Sequence, residues 1–148
     1  MAASGRPFEE VMKNTLITVY KLRKEMDDLI DTRKMLYYTV HSPSFETISQ
    51  TNIPSDPTAK AVNRIIALDE KIAVVAKEYT SAAVEVLEWL YSLGPEDVLN
   101  LSQFRSIVIC HYLRGMPWET VARTIFQTSK RETPKKRIYT YFKDHPEG

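Results

Sequence analysis

Two long segments of the chain lack glycine and proline and repeat their apolar residues every seven positions. They span residues 8–40 and 58–93 of the 148 residues. Alternating steps of four and three residues place side chains along one face of an α-helix, as in a coiled coil. A helix of this length cannot bury such a face alone, and each segment offers the other a partner. The sequence therefore predicts an all-α protein that contains a long antiparallel helical hairpin.

The apolar face is nearly continuous in both segments. In the first segment eight of its ten positions are apolar, and Arg33 is expected to reach the surface or to pair with an acid across the hairpin. In the second segment all ten positions are apolar or aromatic. The two predicted faces consist of Phe8, Met12, Thr15, Val19, Leu22, Met26, Leu29, Arg33, Leu36 and Val40, and of Ala61, Ile65, Leu68, Ile72, Val75, Tyr79, Ala82, Val86, Trp89 and Leu93.

Turn-forming sequence bounds the second long helix on both sides. Residues 41–57 contain three prolines and no sustained period, which predicts a loop. Asp56 is expected to cap the helix, with Pro57 at its first position. Gly94 and Pro95 follow the last apolar residue and predict its end.

Three shorter helices are expected in a second domain, residues 96–148, which follows a hairpin domain over residues 1–95. The first of them begins at Leu101 and ends at Leu113, where Arg114 and Gly115 interrupt the apolar pattern. The hairpin domain is expected to form the oligomer, and the trihelical second domain is expected to carry the functional surface.

The last two helices have the pattern of a helix-turn-helix. Pro117 is expected at the first position of one helix, and Thr133 and Pro134 are expected to cap and begin the other. The buried faces are predicted at intervals of three and four residues. They consist of Trp118, Val121, Ala122 and Ile125 in the first helix and of Pro134, Ile138, Tyr141 and Phe142 in the second.

Charge is distributed unevenly along the chain. Residues 101–148 contain nine basic residues (Lys or Arg) and four acidic ones (Asp or Glu). Residues 1–100 contain eleven basic and fifteen acidic residues. A basic end on a helix-turn-helix favours contact with a polyanion, and the predicted partner is double-stranded DNA. The predicted DNA-binding residues are Arg123, Ser129, Lys130, Arg131, Lys135, Lys136, Arg137, Tyr139, Thr140 and Lys143. The alternative is that these residues form only a solvated basic face.

Other kinds of site have little support in the sequence. The three histidines lie apart from one another and lack the spacing of metal ligands. Cys110 and His111 are neighbours, but adjacent helical residues point about 100° apart, so a buried cysteine is the better interpretation. No glycine-rich nucleotide motif is present among the four glycines. The sequence thus predicts a protein that is not an enzyme and uses no cofactor.

Several short motifs resemble those of the phage regulators of the ArpU and RinA type, whose C-terminal part is similar to region 4 of sigma factors. The similar stretches are His41-Ser42-Pro43, Ser55-Asp56-Pro57-Thr58-Ala59-Lys60-Ala61, and Tyr112-Leu113-Arg114-Gly115-Met116-Pro117-Trp118-Glu119-Thr120-Val121-Ala122. The resemblance implies a DNA-binding regulator of late phage genes. Because the connection 126–133 is longer than a tight turn, the choice between Lys136 and Arg137 as the base-contacting residue stays open.

Three classes of function are compatible with these features. The leading one is a sigma-like transcription regulator, a homodimer in the cytoplasm of a bacterial host. The alternatives are a DNA-packaging accessory protein, such as a small terminase-like subunit, and a protein-interaction module that binds host RNA polymerase. No membrane partner is expected, since charges interrupt every apolar run and residues 1–7 do not resemble a signal peptide.

Overall fold

The structure is a computed structural model that describes residues 8–40 and 56–145. Two long helices are followed by three shorter ones, and no β-strand occurs in these residues, so the predicted all-α class is confirmed. The predicted loop at 41–57 lies almost entirely outside the described residues. The helices are α1 (Phe8–Val40), α2 (Asp56–Ser92), α3 (Leu101–Val108, extended by a π-helical turn Ile109–Leu113), α4 (Trp118–Val121, extended by a π-helical turn Ala122–Phe126) and α5 (Glu132–Asp144).

Local signals explain where α3 begins and ends. The side chain of Asn100 caps its N-terminus and accepts a hydrogen bond from the backbone N–H of Gln103 at 3.3 Å. At the other end, the π-helical turn stops at Leu113, as predicted. Gly115 then adopts a φ of 72°, a left-handed conformation that glycine accepts at little cost.

The predicted starts of α4 and α5 were wrong by one and two residues. Helix α4 begins at Trp118, so Pro117 precedes it. Helix α5 begins at Glu132, and Thr133 is therefore its second residue rather than its cap. The backbone N–H of Thr133 donates to the carbonyl oxygen of Lys130 at 3.0 Å. Pro134 is tolerated because the first four N–H groups of a helix have no partner within it.

The chain forms two compact units, one of residues up to Arg23 together with those from Tyr79 onward, and one of residues 24–78. Both long helices contribute to each unit, so the predicted boundary at residue 95 lies within the first. In the first unit, Arg23 lies beside Tyr79, and residues from Val11 to Thr18 line a groove with Ala82 and Glu85. Residues nearer the N-terminus of α1 therefore lie beside residues nearer the C-terminus of α2, so the two helices are antiparallel.

The core of the first unit combines both long helices with all three short ones. Each of these helices contributes side chains that are less than a tenth exposed. Trp89 of α2 is central, because its ring contacts Phe104 of α3 and both Tyr141 and Phe142 of α5, at centroid distances of 5.9–6.2 Å. The core consists of Met12, Leu16, Val19, Val86, Trp89, Leu90, Phe104, Ile107, Val108, Cys110, Leu113, Val121, Ile138, Tyr141 and Phe142.

A carbonyl at the end of α3 joins this helix to both long helices. The carbonyl oxygen of Leu113 accepts a hydrogen bond from the guanidinium of Arg23 at 3.0 Å and another from the hydroxyl of Tyr79 at 2.5 Å. The last carbonyls of a helix lack partners within the helix, and here two side chains supply them. The guanidinium of Arg23 also lies 5.9 Å from the centroid of the Tyr79 ring.

The second unit, residues 24–78, contains the middle parts of α1 and α2. The predicted faces hold there, since every described face residue is buried or half-buried, although only Val75 is fully buried. Arg33 interrupts the face and pairs with Asp69 of α2. Pairing with an acid across the hairpin was one of the two outcomes predicted for this residue. The hydrogen bond and charge of Asp69 raise the pKa of the Arg33 guanidinium. Both side chains are more than a third exposed, so this pair contributes little stability.

No helix in the described part of the chain is long and apolar enough to cross a membrane.

Val86 and Val84 of α2 provide a matched test of the core. Val86 is 0% exposed and Val84 is 49% exposed. We expect Val86→Asp to lower the free energy of unfolding by on the order of 3–5 kcal/mol, because it buries an unpaired charge. Val84→Asp should change it by less than about 1 kcal/mol. Urea unfolding followed by circular dichroism measures both, and equal midpoints for the two variants would contradict this core.

Candidate nucleic-acid interface

One face of helix α5 is buried against the core. Pro134, Ile138, Tyr141 and Phe142 are all less than a tenth exposed, as the sequence predicted. The ring of Phe142 stacks on Trp89 with an interplanar angle of 17°, and Tyr141 lies 5.0 Å from Phe104 between ring centroids. These contacts fix which side of α5 faces away from the core.

The opposite face of α5 is exposed and mostly basic. Lys135, Lys136, Tyr139, Thr140 and Lys143 are all exposed there, and the acids Glu132 and Asp144 are exposed at the two ends of the helix. Lys136, Thr140 and Lys143 are spaced by four and three residues and therefore form one stripe. The helix has thirteen residues and is roughly 20 Å long. Helices of this size enter the major groove of DNA in helix-turn-helix proteins.

Arg137 is placed differently from the other predicted site residues on α5. Its guanidinium donates to the side-chain oxygen of Gln103 at 2.5 Å and to the carbonyl oxygen of Leu99 at 2.7 Å. The side chain is half-buried and crosses to the N-terminal end of α3. Its donors thus serve to hold two helices together. Lys136 is exposed, so the structure favours Lys136 over Arg137 as the residue that a bound molecule would meet.

The remaining predicted residues lie on α4 and on the connection to α5. Arg123, Ser129, Lys130 and Arg131 are all exposed. Two acids reduce the local positive charge, since Arg123 pairs with Glu119 at 2.7 Å and Arg131 lies 3.7 Å from Glu132. Both pairs are largely exposed, and exposed pairs exchange partners at little cost.

The connection before α5 takes its shape from a residue in a left-handed conformation. Gln127 ends the π-helical turn with a φ of 55°, and the N–H of Thr128 then bonds to the carbonyl of Ala122. The N–H of Lys130 donates to the hydroxyl of Thr128 at 3.3 Å. These bonds order the chain that carries Lys130 and Arg131, so the two cations are held next to the start of α5.

Sequence reasoning missed one basic residue at this surface. Lys13 of α1 places its ammonium 6.0 Å from the centroid of the Tyr139 ring on α5. It is more than a hundred positions away in the chain, and its neighbours in sequence are those of an ordinary amphipathic helix. No local pattern could have identified it, because only the packing of α1 against α5 brings it here.

Beside this surface, His111 lies within a stack of aromatic rings. Its imidazole is sandwiched between Tyr20, at 4.5 Å between centroids, and Trp118, at 3.6 Å. Its Nδ1 lies 2.7 Å from the carbonyl oxygen of Met116 and must carry the proton, since a carbonyl only accepts. Tyr112 meets this stack edge-on, and burial raises the pKa of its hydroxyl to about 12. His111 therefore has a packing role that its position next to Cys110 did not suggest.

Cys110 is buried, in agreement with its interpretation as an apolar core residue. Within the described residues, no group of three or more His, Cys, Asp or Glu side chains is arranged to hold a metal ion. The groups that this region does offer are cations, hydroxyls and aromatic rings, which together suit an anionic or aromatic partner.

No protein-family model, no curated protein and no solved structure matches this chain. The arrangement of α5 and its neighbours is therefore the observation from which a function must be argued.

Arg137 and Lys136 are neighbours whose different placements lead to a test of stability. We expect Arg137→Ala to lower the free energy of unfolding by about 1–2 kcal/mol, because it removes two charge-assisted hydrogen bonds to α3. Lys136→Ala serves as the matched control and should change stability by less than about 0.5 kcal/mol. Urea unfolding at neutral pH compares the two. Equal stability in both variants would mean that Arg137 does not anchor α5.

Proposed function

We propose that this protein is a DNA-binding transcription regulator that places α5 in the major groove of a DNA duplex. The observation that carries this proposal is the division of α5 into a buried apolar face and an exposed face with three lysines, a tyrosine and a threonine. A helix held on one side by a core and basic on the other meets the two requirements of groove recognition, which are a fixed orientation and attraction to phosphates.

The exposed residues divide by position into two roles. Lys136 and Thr140 lie on the central stripe of α5, where side chains reach base edges in a major groove. Arg123, Ser129, Lys130 and Arg131 lie at the end of α4 and in the connection, which in such complexes run along the phosphate backbone. Lys143, at the C-terminal end of the same stripe, and Lys13, at the margin of the surface, add further phosphate contacts. Arg137 does not belong to either group, because its hydrogen bonds to Gln103 and Leu99 hold α5 against α3.

The resemblance to phage ArpU and RinA regulators favours late phage genes as the target and a bacterial cytoplasm as the location. Dimerisation through the unit of residues 24–78 is part of the proposal. Two helices alone cannot bury all of their apolar side chains, and several large ones stay exposed in this unit. A second copy of the chain would cover them. These exposed side chains are Met35, Tyr37, Tyr38, Val62, Ile66 and Val74, between 42% and 71% exposed.

A salt series tests the DNA surface. In a variant with Lys135, Lys136 and Lys143 replaced by Gln, we expect duplex binding to weaken strongly. The slope of log affinity against log salt should fall by about 0.9 for each lost phosphate contact. A control variant replaces Lys60, Lys71 and Lys77, exposed lysines of the other unit, and has the same change in net charge. Fluorescence anisotropy measures both. If the two variants bind alike, net charge explains the binding and the proposed surface is wrong.

Sedimentation at micromolar concentration tests the dimer. We expect a dimer for the parent, and Ile66→Glu should dissociate it, because this residue is 52% exposed and its face would lie in the interface. Lys71→Glu, on another side of α2, is the matched control and should leave the dimer intact. A parent that stays monomeric would remove the dimer from the proposal. A larger ring would instead favour the DNA-packaging class.

A further inference from the structure

We infer that a groove between α1 and the short helices binds a small planar aromatic anion. This aromatic groove has a volume of about 270 Å³ and lies entirely within the first unit. Its lining combines aromatic and aliphatic side chains with two lysines. The lining residues that carry the inference are Lys13 and Tyr20 of α1, His111 and Tyr112 of α3, Trp118 of α4, and Lys135 of α5.

The walls of the aromatic groove suit a flat ring. The stack of Tyr20, His111 and Trp118 has interplanar angles of 19° and 15°, so the three rings form one nearly parallel set. Tyr112 stands across this set at 82° to the imidazole and 87° to the indole. A planar ligand can stack on one wall and meet another edge-on, and both arrangements are favourable between aromatic rings.

The charges around the aromatic groove select an anion. Lys13 and Lys135 both line it, and none of its lining residues is Asp or Glu. The ammonium of Lys13 reaches to within 6.0 Å of the Tyr139 ring centroid, so one cation lies over an aromatic side chain of the groove. A carboxylate attached to an aromatic ring would place its ring among the apolar walls and its charge near the lysines.

The volume limits the size of the ligand. Pockets for drug-sized molecules typically measure about 300–1,000 Å³, so this groove lies just below that range. It therefore suits a molecule of one or two fused rings with a single short acidic group. A nucleotide with its sugar and phosphates would extend well beyond the lining residues.

Two residues connect the aromatic groove to the proposed DNA surface. Lys135 and Tyr139 line the groove and also belong to the exposed face of α5. A bound anion would neutralise Lys135 and so reduce the attraction between α5 and phosphates. This second step, that the ligand lowers DNA affinity, rests on the proposed function, whereas the binding of the ligand does not.

The binding test uses naphthoate as the probe and uncharged naphthyl methanol as its matched control, on the full chain without DNA. We expect naphthoate to shift the NMR signal of the Trp118 indole N–H, with the naphthyl methanol at least about fivefold weaker. Lys13→Gln and Lys135→Gln should each weaken naphthoate binding by about fivefold. Lys21→Gln, which removes an exposed lysine of α1 that does not line the groove, should leave the affinity unchanged.

A variant that fills the aromatic groove guards against nonspecific binding. Ile17 lines the groove and is 42% exposed, so Ile17→Trp can occupy the space without disturbing the core. It should abolish the shift caused by naphthoate while its unfolding midpoint stays near that of the parent. Equal binding of naphthoate and naphthyl methanol, or unchanged binding in both lysine variants, would overturn the anion site.

The DNA step is measured separately, by anisotropy of a duplex titrated with naphthoate. We expect DNA affinity to fall at least threefold at saturating naphthoate in the parent and to stay unchanged in Ile17→Trp. If naphthoate binds but does not alter DNA affinity, the site stands and its proposed coupling to DNA is wrong. If the parent binds no duplex at all, the proposed function fails while the NMR test still decides the site.

Discussion

The contact of Trp89 with the short helices is the interaction on which the rest of the first unit depends. Its ring is 4% exposed and meets Phe104 of α3 and Phe142 of α5, so one side chain of α2 links the long helices to both. Its indole N–H has no hydrogen-bond acceptor among the described residues, so the ring is held by packing rather than by a hydrogen bond. Since Phe142 stacks on this ring, the inward side of α5 is set by a residue of α2.

Periodicity predicted the elements of this fold well because it reports on local geometry. The alternate steps of three and four identified α1, α2 and some of their buried residues, such as Val19 and Val86, and the same rule identified the inward side of α5. They missed Leu16 and Leu90, which are 1% and 0% exposed. Proline was less reliable. Pro117 and Pro134 were each predicted to be the first residue of a helix. Proline is equally well accommodated just before a helix and throughout its first turn. A proline therefore fixes a helix start only to within a turn.

The proposed DNA surface stays a prediction, and the structure adds contacts within it that the sequence did not reveal. Clustered lysines on one helix face are visible in the sequence, whereas the anchoring of Arg137 to Gln103 and Leu99 joins residues more than thirty positions apart. The same limit applies to Lys13, which reaches α5 only because α1 packs against it. Charged residues can be counted from a sequence. Whether a guanidinium is free to bind another molecule or is bonded within its own chain depends on tertiary contacts.

Two anchors fix the rotation of α5 about its own axis, and under the proposed function this rotation decides which side chains meet DNA. A shift of one residue turns a helix by about 100°, which would bring Lys136 to the place that Arg137 now occupies. Phe142 holds α5 on its inner side, and the two hydrogen bonds of Arg137 hold it near its N-terminal half, so rotation about the helix axis is opposed at two points. A helix that reads base edges needs such constraint, because a flexible phase would present different side chains to the same base pair. Under the proposed function, Arg137 would therefore determine which of its neighbours on α5 face the DNA.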